Sequence, residues 1–210
     1  MELTAKNATN SYRANLKEKI LNTATDCFHS QGIKSVKMDD IARRLSISKR
    51  TLYELYGNKE ELLLACIKAS HEKMARHIAE KVDEGANTME VFIELIANKI
   101  EEVNHIHPSF IVEMNKYHSV VEYIERKRQE NQAHSEAFFR KGVEEGYFLP
   151  DININIVVEI SNKCMEHVLS SEMYNRYPLH EIHRTITTVF VRGLCTEKGV
   201  KQIDRMLAKV

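Results

Sequence analysis

Apolar residues recur every three or four positions over most of this chain, which is the spacing typical of amphipathic helices. From Leu16 to Phe28 they form one stripe, and Gly32 follows one turn later. A glycine just past the last periodic residue is typical of a helix end, because glycine adopts the left-handed conformation at little cost. The pattern therefore predicts a first helix that ends at Gly32, preceded by a polar, flexible tail over residues 1–13.

Two short helical patterns lie between residues 37 and 56, separated by a junction that contains Ser46 and Ser48. Serine suits a turn followed by a helix N-cap, since its hydroxyl accepts a hydrogen bond from a free backbone N–H. Helices this short are not stable alone, so both must pack on the first helix. The sequence thus predicts a three-helix unit with a helix-turn-helix over residues 14–57.

The rest of the chain, residues 58–210, has the pattern of a larger helical domain. Its first helix, over residues 58–84, would link it to the N-terminal unit. Only 7 Gly and 3 Pro occur in 210 residues, too few turn-forming residues for many short strands. The fold class expected is therefore all-α. Further helices are predicted over 87–106, 109–117, 120–145, 153–171, 179–197 and 200–208.

The charges of the chain are unevenly distributed, although 30 Lys and Arg balance 30 Asp and Glu overall. Residues 1–70 hold 12 basic against 8 acidic residues, a net charge of +4. Residues 71–210 hold 18 against 22, a net charge of −4. A positive N-terminal part suits a protein in which only that part meets a polyanion, but the excess is small.

Two further features of the sequence indicate where the protein acts. The longest stretch without a charged residue, Val103 to Val112, has ten residues, whereas a membrane-spanning helix needs about 20. The N-terminus lacks an apolar export segment, so we expect a cytoplasmic protein. The four cysteines do not have zinc-site spacing, and we expect them to be reduced.

The predicted helix-turn-helix contains a group of basic and hydroxyl side chains. In such a motif the second helix enters the major groove by its N-terminal end, where Lys49 and Arg50 would reach base edges or phosphates. A single surface charge is more often merely solvated, so the prediction rests on the group. Tyr56 is more readily explained as a core aromatic. The candidate DNA contacts are Lys37, Ser48, Lys49, Arg50, Thr51, Tyr53 and Lys59.

Residues 16–67 resemble the N-terminal DNA-binding domain of the TetR (TetR/AcrR) family of bacterial transcriptional regulators. Two positions depart from the family pattern: Lys37 stands where Thr or Ser commonly precedes the second helix, and Ser46 stands where the turn often has Gly. The residues that carry the resemblance are Ile20-Leu21, Ala24, Phe28, Gly32, Ile41-Ala42, Leu45, Ser48, Thr51-Leu52-Tyr53, Tyr56, Lys59-Glu60 and Leu62.

The resemblance implies a homodimeric repressor that binds a near-palindromic DNA operator. A small-molecule effector bound to the C-terminal domain would release it, because twofold-related recognition helices must lie about 34–36 Å apart to match both half-sites. In this family the last two long helices form the dimer surface. The apolar stripe on the last long helix is equally typical of an internal core helix. The candidate dimer residues are Ile182, Ile186, Val189, Phe190 and Gly193.

The effector pocket would lie among the middle helices of the C-terminal domain. Its candidate apolar residues have the spacing of ordinary core residues as well. Two polar residues of the long helix could anchor a ligand if they face inward, since a buried amide or imidazole needs a partner. The candidates are Phe92, Ile96, Met114, Tyr117, Phe138, Cys164 and Met165, with Asn131 and His134 as polar anchors.

Two other functions stay open at this point. A helix-turn-helix protein without an effector could use its C-terminal half for a protein partner. A helical metal enzyme is the more distant alternative, because Glu102 and His105 form one Glu-x-x-His pair but a second pair is absent. His71-Glu72 also lacks the histidine at position 75 that a zinc protease needs. We therefore expect no catalytic residues, no metal and no cofactor.

Overall fold

The computed structural model of the chain describes residues 2–208, and side chains from Tyr12 onward. Within this range the backbone forms ten α-helices and one turn of 3-10 helix, as the all-α prediction requires. Their bounds are α1 Glu2–Gln31, α2 Met38–Arg44, α3 Lys49–Leu55, α4 Lys59–Asp83, α5 Thr88–Asn104, α6 Pro108–Met114, α7 His118–Glu144, α8 Ile154–Ser170, the 3-10 turn Met173–Asn175, α9 Leu179–Leu194 and α10 Glu197–Leu207.

The helices divide into two compact units. The first contains the chain up to Met74 together with His107–Ile124, and the second contains Ala75–Ile106 and the chain from Glu125 onward. This division differs from the predicted boundary after residue 57, because α6 and the start of α7 return to the first unit. Helices α4 and α7 each contribute residues to both units.

The first unit is built on the apolar stripe of α1. Ile20, Ala24 and Phe28 are completely buried, as are Ile41 of α2 and Leu52 of α3. Gly32 ends the helix with a φ of +79°, which confirms the predicted C-terminal glycine. These contacts fix α2 and α3 against α1 as a three-helix unit.

Helix α1 begins earlier than predicted. Residues 2–13, expected as a flexible tail, are helical and continuous with the rest of α1. The segment lacks an apolar stripe, but neither Gly nor Pro occurs between Glu2 and Gln31 to stop the helix. Helical propensity therefore extends α1 beyond its packed face.

The second unit packs around Phe148, which is 1% exposed. The Phe139 ring stacks on it with centroids 4.9 Å apart, and the Phe92 ring meets it edge-on at the same distance. Gly142 leaves room for this ring, since a Cβ there would lie 2.3 Å from a Phe148 ring atom. Phe148 thus lies at the centre of the core of this unit.

The structure also bears on the cysteines and on possible membrane-spanning helices of the described residues. All four thiols are free, and only Cys164 is not buried. Burial raises the pKa of Cys66 and of Cys195 to about 11, which keeps these thiols protonated and unreactive near neutral pH. Between residues 2 and 208, every helix is too short or too polar to cross a membrane.

Candidate functional site

Helix α3 is the element that the sequence predicts to read DNA, and its N-terminus is capped as expected. The Ser48 Oγ accepts a hydrogen bond from the Thr51 N–H at 3.0 Å, and the two hydroxyls lie 2.8 Å apart. Ser48 and Thr51 therefore use their hydroxyls in the cap. Leu52 is completely buried and anchors the opposite side of α3 in the core.

The exposed side of α3 presents Lys49, Arg50 and Tyr53. The Arg50 Nε donates to Glu54 Oε1 at 2.7 Å, and the Lys49 ammonium pairs with Asp39 of α2. Such exposed ion pairs contribute less than about 1 kcal/mol, so a phosphate or a base edge can displace the carboxylates. The cations at the start of α3 are thus positioned by weak ion pairs and remain available to bind DNA.

The two tyrosines of this region have different surroundings. Tyr53 is 46% exposed on α3. Tyr56 is half-buried at the end of α3, and this burial raises the pKa of its phenol. The geometry therefore agrees with Tyr53 as a surface residue and with Tyr56 as a packing residue.

Lys37 is exposed and immediately precedes α2. Its backbone is extended, with φ −105° and ψ 147°, and its side chain makes no cap hydrogen bond to the helix. The replacement of a capping Thr or Ser thus leaves α2 without a side-chain cap. The ammonium remains available to an anion.

Lys59 does not occupy the predicted phosphate-binding position. Its Nζ donates to the carbonyl oxygens of Ile33 at 2.8 Å and Val36 at 3.0 Å, and lies 3.5 Å from that of Lys34. Burial lowers the pKa of its ammonium, and the Glu113 carboxylate partly opposes this shift. Because the carbonyls use its three N–H groups, Lys59 ties α4 to the turn between α1 and α2.

The apolar effector candidates do not gather at one site. Phe92, Ile96 and Phe138 pack in or against the core around Phe148, whereas Met114 and Tyr117 belong to the first unit. The polar anchors are wrong: Asn131 and His134 are exposed on α7, so they do not face inward. Apolar residues at helical spacing look alike in a core and in a pocket, which is why the sequence did not separate them.

Helix α8 instead borders two grooves of the second unit. One has a volume of about 600 Å³ and is largely apolar; it runs along α8, where it includes Cys164, and is bordered by Met173 and by Ile186 of α9. Met165, the other candidate of α8, is half-buried. The second groove, of about 410 Å³, lies between α7 and α8 and is polar, with Gln129, Gln132, Asn155 and Asn162 in its walls.

The predicted dimer residues of α9 differ in exposure. Val189 is 65% exposed, and a Cβ added to Gly193 would meet no atom within 4 Å. Ile186 and Phe190 are half-buried, but Ile182 is buried within its own chain and cannot serve as a surface residue. On α8, three exposed apolar residues were not among the predicted dimer residues: Ile156, Val158 and Ile160.

Residues 20–66, which include α2, α3 and their buried support, match the family model described as "Bacterial regulatory proteins, tetR family". This segment is thus similar to the N-terminal domain of the TetR family, and the match supports a DNA-binding role for the helix-turn-helix. The all-helical architecture is also that of a solved TetR-family regulator from Agrobacterium tumefaciens.

Individual relatives agree with this similarity. The HTH-type transcriptional repressor KstR2 of Mycobacterium tuberculosis is 24% identical over 144 residues, which are 66% of this chain and 72% of that protein. Its solved structure superimposes with a TM-score of 0.54 at 19% identity, covering 86% of this chain and 95% of that one. A putative transcriptional regulator from Saccharomonospora viridis in complex with choline gives a TM-score of 0.66 at 12% identity, covering 88% and 100%.

Sequence reasoning about the first unit missed two kinds of residue. Arg43 and Arg44 end α2 with exposed side chains, and Arg43 pairs with Asp40 at 3.1 Å. Because the two arginines are adjacent, the sequence alone could have indicated a positively charged end of α2. Glu113, in contrast, accepts the Lys34 backbone N–H from 79 residues away, and no local pattern marks this contact.

Proposed function

We propose that this chain is a homodimeric TetR-family repressor that binds a near-palindromic operator and is released by a small molecule. The main support is the geometry of helix α3: its buried Leu52 and capped N-terminus leave Lys49, Arg50 and Tyr53 on the exposed side. As a repressor it acts in the cytoplasm, where bacterial DNA lies. Its relatives are transcriptional regulators, so we assign it no enzymatic activity.

The DNA contacts divide into those that read bases and those that bind phosphates. Arg50 carries the planar, forked donor that suits guanine, and Lys49 lies beside it at the start of α3. Lys37 and the arginines that end α2 supply positive charge for phosphates, and Tyr53 supplies a hydroxyl. Ser48 and Thr51 contribute by fixing the first turn of α3 through their cap.

The dimer is assigned to the apolar surface that α8 and α9 share. Ile156, Ile160 and Val189 are 54%, 47% and 65% exposed, an unfavourable arrangement in water. The open space beside Gly193 admits a closely packed helix. A second copy of this chain supplies the same apolar surface, as a twofold interface requires.

The effector is assigned to the second unit. One structural neighbour, the putative regulator from Saccharomonospora viridis, is in complex with choline, a small polar molecule. Assigning the apolar groove to the dimer leaves the polar groove between α7 and α8 as the candidate site. Its amide side chains and the charges of Arg128 and Glu159 favour a small molecule with several hydrogen-bonding groups.

A selection experiment tests the proposal. The full chain is incubated with random DNA duplexes, bound sequences are recovered, and the mass of the free protein is measured by light scattering. We expect a dimer and a near-palindromic sequence. A monomer that binds no duplex even at low salt would contradict the proposal.

Release is tested on the selected duplex with a library of small polar compounds. We expect at least one compound both to release the DNA and to raise the melting temperature of the free protein. A dimer that binds the duplex but responds to no compound would support the alternative, in which the second unit binds a protein partner.

A further inference from the structure

The turn between α1 and α2, residues 32–36, is held from two sides by side chains distant in the sequence. On one side Lys59, at the start of α4, donates to the carbonyls of Ile33 and Val36 at 2.8 and 3.0 Å. These carbonyls lie outside the helices and need partners if they are not solvated. A single ammonium thus satisfies several backbone groups of one turn.

Helix α6 holds the other side of the same turn. The Glu113 Oε2 accepts the Lys34 backbone N–H at 2.6 Å. Ser109 packs on Gly32, where an added Cβ would lie 2.9 Å from the Ser109 Cβ. The His107 N–H also donates to the His29 carbonyl, at 2.7 Å. Three positions of α1 and the turn, His29, Gly32 and Lys34, are therefore held against α6.

Lys59 and Glu113 carry opposite charges and act on the same short segment. The carboxylate favours the charged ammonium and so partly offsets the burial that lowers the pKa of Lys59. Hydrogen bonds to charged groups contribute more than neutral ones, and an unpaired partner is costly. The two side chains should therefore act as a coupled pair rather than independently.

The turn leads directly to the elements that face DNA. Val36 is two residues before Met38, the first residue of α2. Asp39 in the first turn of α2 pairs with Lys49 in the first turn of α3. A continuous series of contacts thus runs from Lys59 through the turn and α2 to the start of the recognition helix.

We propose that Lys59 and Glu113 are positioning residues that clamp the 32–36 turn and so orient α2 and α3 for DNA binding. This inference rests on the proposed function, because the orientation matters only if the first unit binds DNA. Lys59 then contributes to DNA affinity by stabilising the fold of the first unit and not by contacting a DNA phosphate.

The salt dependence of DNA binding separates a clamp from a phosphate contact. The test compares Lys59→Met with Lys37→Met in the full chain on the selected duplex. Each lost phosphate contact reduces the slope of log K against log salt by about 0.9. We expect Lys37→Met to reduce the slope by about this amount, and Lys59→Met to weaken binding about tenfold with the slope unchanged. A reduced slope for Lys59→Met would overturn the proposal.

Hydrogen exchange of the Lys34 amide tests the Glu113 side, with or without DNA. The variants are Glu113→Ala and Glu113→Gln, and the control is Glu122→Ala, an exposed glutamate of the same unit. We expect Glu113→Ala to accelerate exchange about tenfold and to weaken DNA binding without changing the preferred sequence. Glu113→Gln keeps an acceptor oxygen, so it should retain much of the protection of the Lys34 amide and much of the DNA affinity.

Several outcomes decide the matter. Unchanged exchange in Glu113→Ala would overturn the proposal, as would faster exchange with unchanged DNA affinity. In the double variant Lys59→Met/Glu113→Ala, losses of DNA affinity that simply multiply would contradict the coupling of the pair. If Lys59→Met does not fold, the two Glu113 variants still decide. If the parent chain binds no duplex, the proposed function fails, whereas the exchange data still report whether the clamp exists.

Discussion

The two units of this chain are stabilised in different ways. In the first, Lys59 and Glu113 form directed hydrogen bonds to the backbone of one turn, and Glu60 accepts both the hydroxyl and the N–H of Ser119 at 2.6 and 3.2 Å. In the second, an apolar cluster around Phe148 forms the centre, and grooves remain open along α8. Directed bonds fix an orientation, as reading DNA requires, whereas apolar packing beside open grooves leaves surfaces for other molecules.

The largest effect should come from the centre of the second unit. Phe148→Ala removes a ring that is 1% exposed and packed against two other rings, so it should lower the free energy of unfolding by about 3–5 kcal/mol. Urea titration measures the loss. The control Leu149→Ala, at a neighbouring residue that is 36% exposed, should cost less than about 1 kcal/mol. Equal losses would contradict the assignment of Phe148 as the centre.

The next effect concerns the apolar surface of α8 and α9. Val189→Glu places a charge in the proposed interface and should raise the dissociation constant of the dimer at least about tenfold. Sedimentation at several concentrations measures this constant. Val82→Glu is the matched control, because Val82 is 52% exposed on α4, a helix that is not part of the proposed interface. A Val189→Glu protein that remains as dimeric as the control would contradict the interface.

In the first unit, Arg50→Ala should weaken binding to the selected duplex by about 1–3 kcal/mol and relax the preference for one base pair. The variant also loses the exposed pair with Glu54, which contributes little to stability. Binding to a panel of duplexes with single substitutions measures both effects. If affinity falls equally for every duplex, Arg50 binds a phosphate and another residue reads the base.

The same contrast explains what the sequence could predict. Gly32 and Ser48 mark helix ends of the first unit from the local sequence, and the Ser48 side chain accepts the expected cap hydrogen bond. The clamp was not predictable, because Lys59 and Glu113 reach backbone groups 23 to 79 residues away. No side-chain pattern identifies which carbonyl or N–H a distant charge will meet.

The effector region failed for a different reason. Phe92 and Phe138 were selected by helical spacing, which reports that a residue faces inward but not whether a cavity lies there. Asn131 and His134 lie near the apolar stripe of α7, yet both are exposed. The polar groove depends on how α7 and α8 lie beside each other, and this is a tertiary property that neither helix encodes alone.

The smallest effect concerns backbone strain in the first unit. Ser46, in the turn between α2 and α3, has a φ of +54°, a conformation that costs a residue with a side chain about 1–2 kcal/mol. Ser46→Gly removes this cost but makes the unfolded chain more flexible, so the net gain in stability should be about 1 kcal/mol or less. Thermal unfolding measures the gain, and DNA affinity should change less than about twofold because no proposed contact is lost.

Two other positions sharpen this prediction. Glu172, before the 3-10 turn of the second unit, has a φ of +51°, so Glu172→Gly should give a gain of similar size. Ser70→Gly, at an exposed position inside α4, should instead lose about 0.5 kcal/mol because glycine is a poor helix former. If Ser46→Gly behaves like Ser70→Gly, the turn is not strained. The serine in place of the family's glycine would then carry no cost, and the orientation of α3 would depend on the Lys59 and Glu113 contacts more than on this turn.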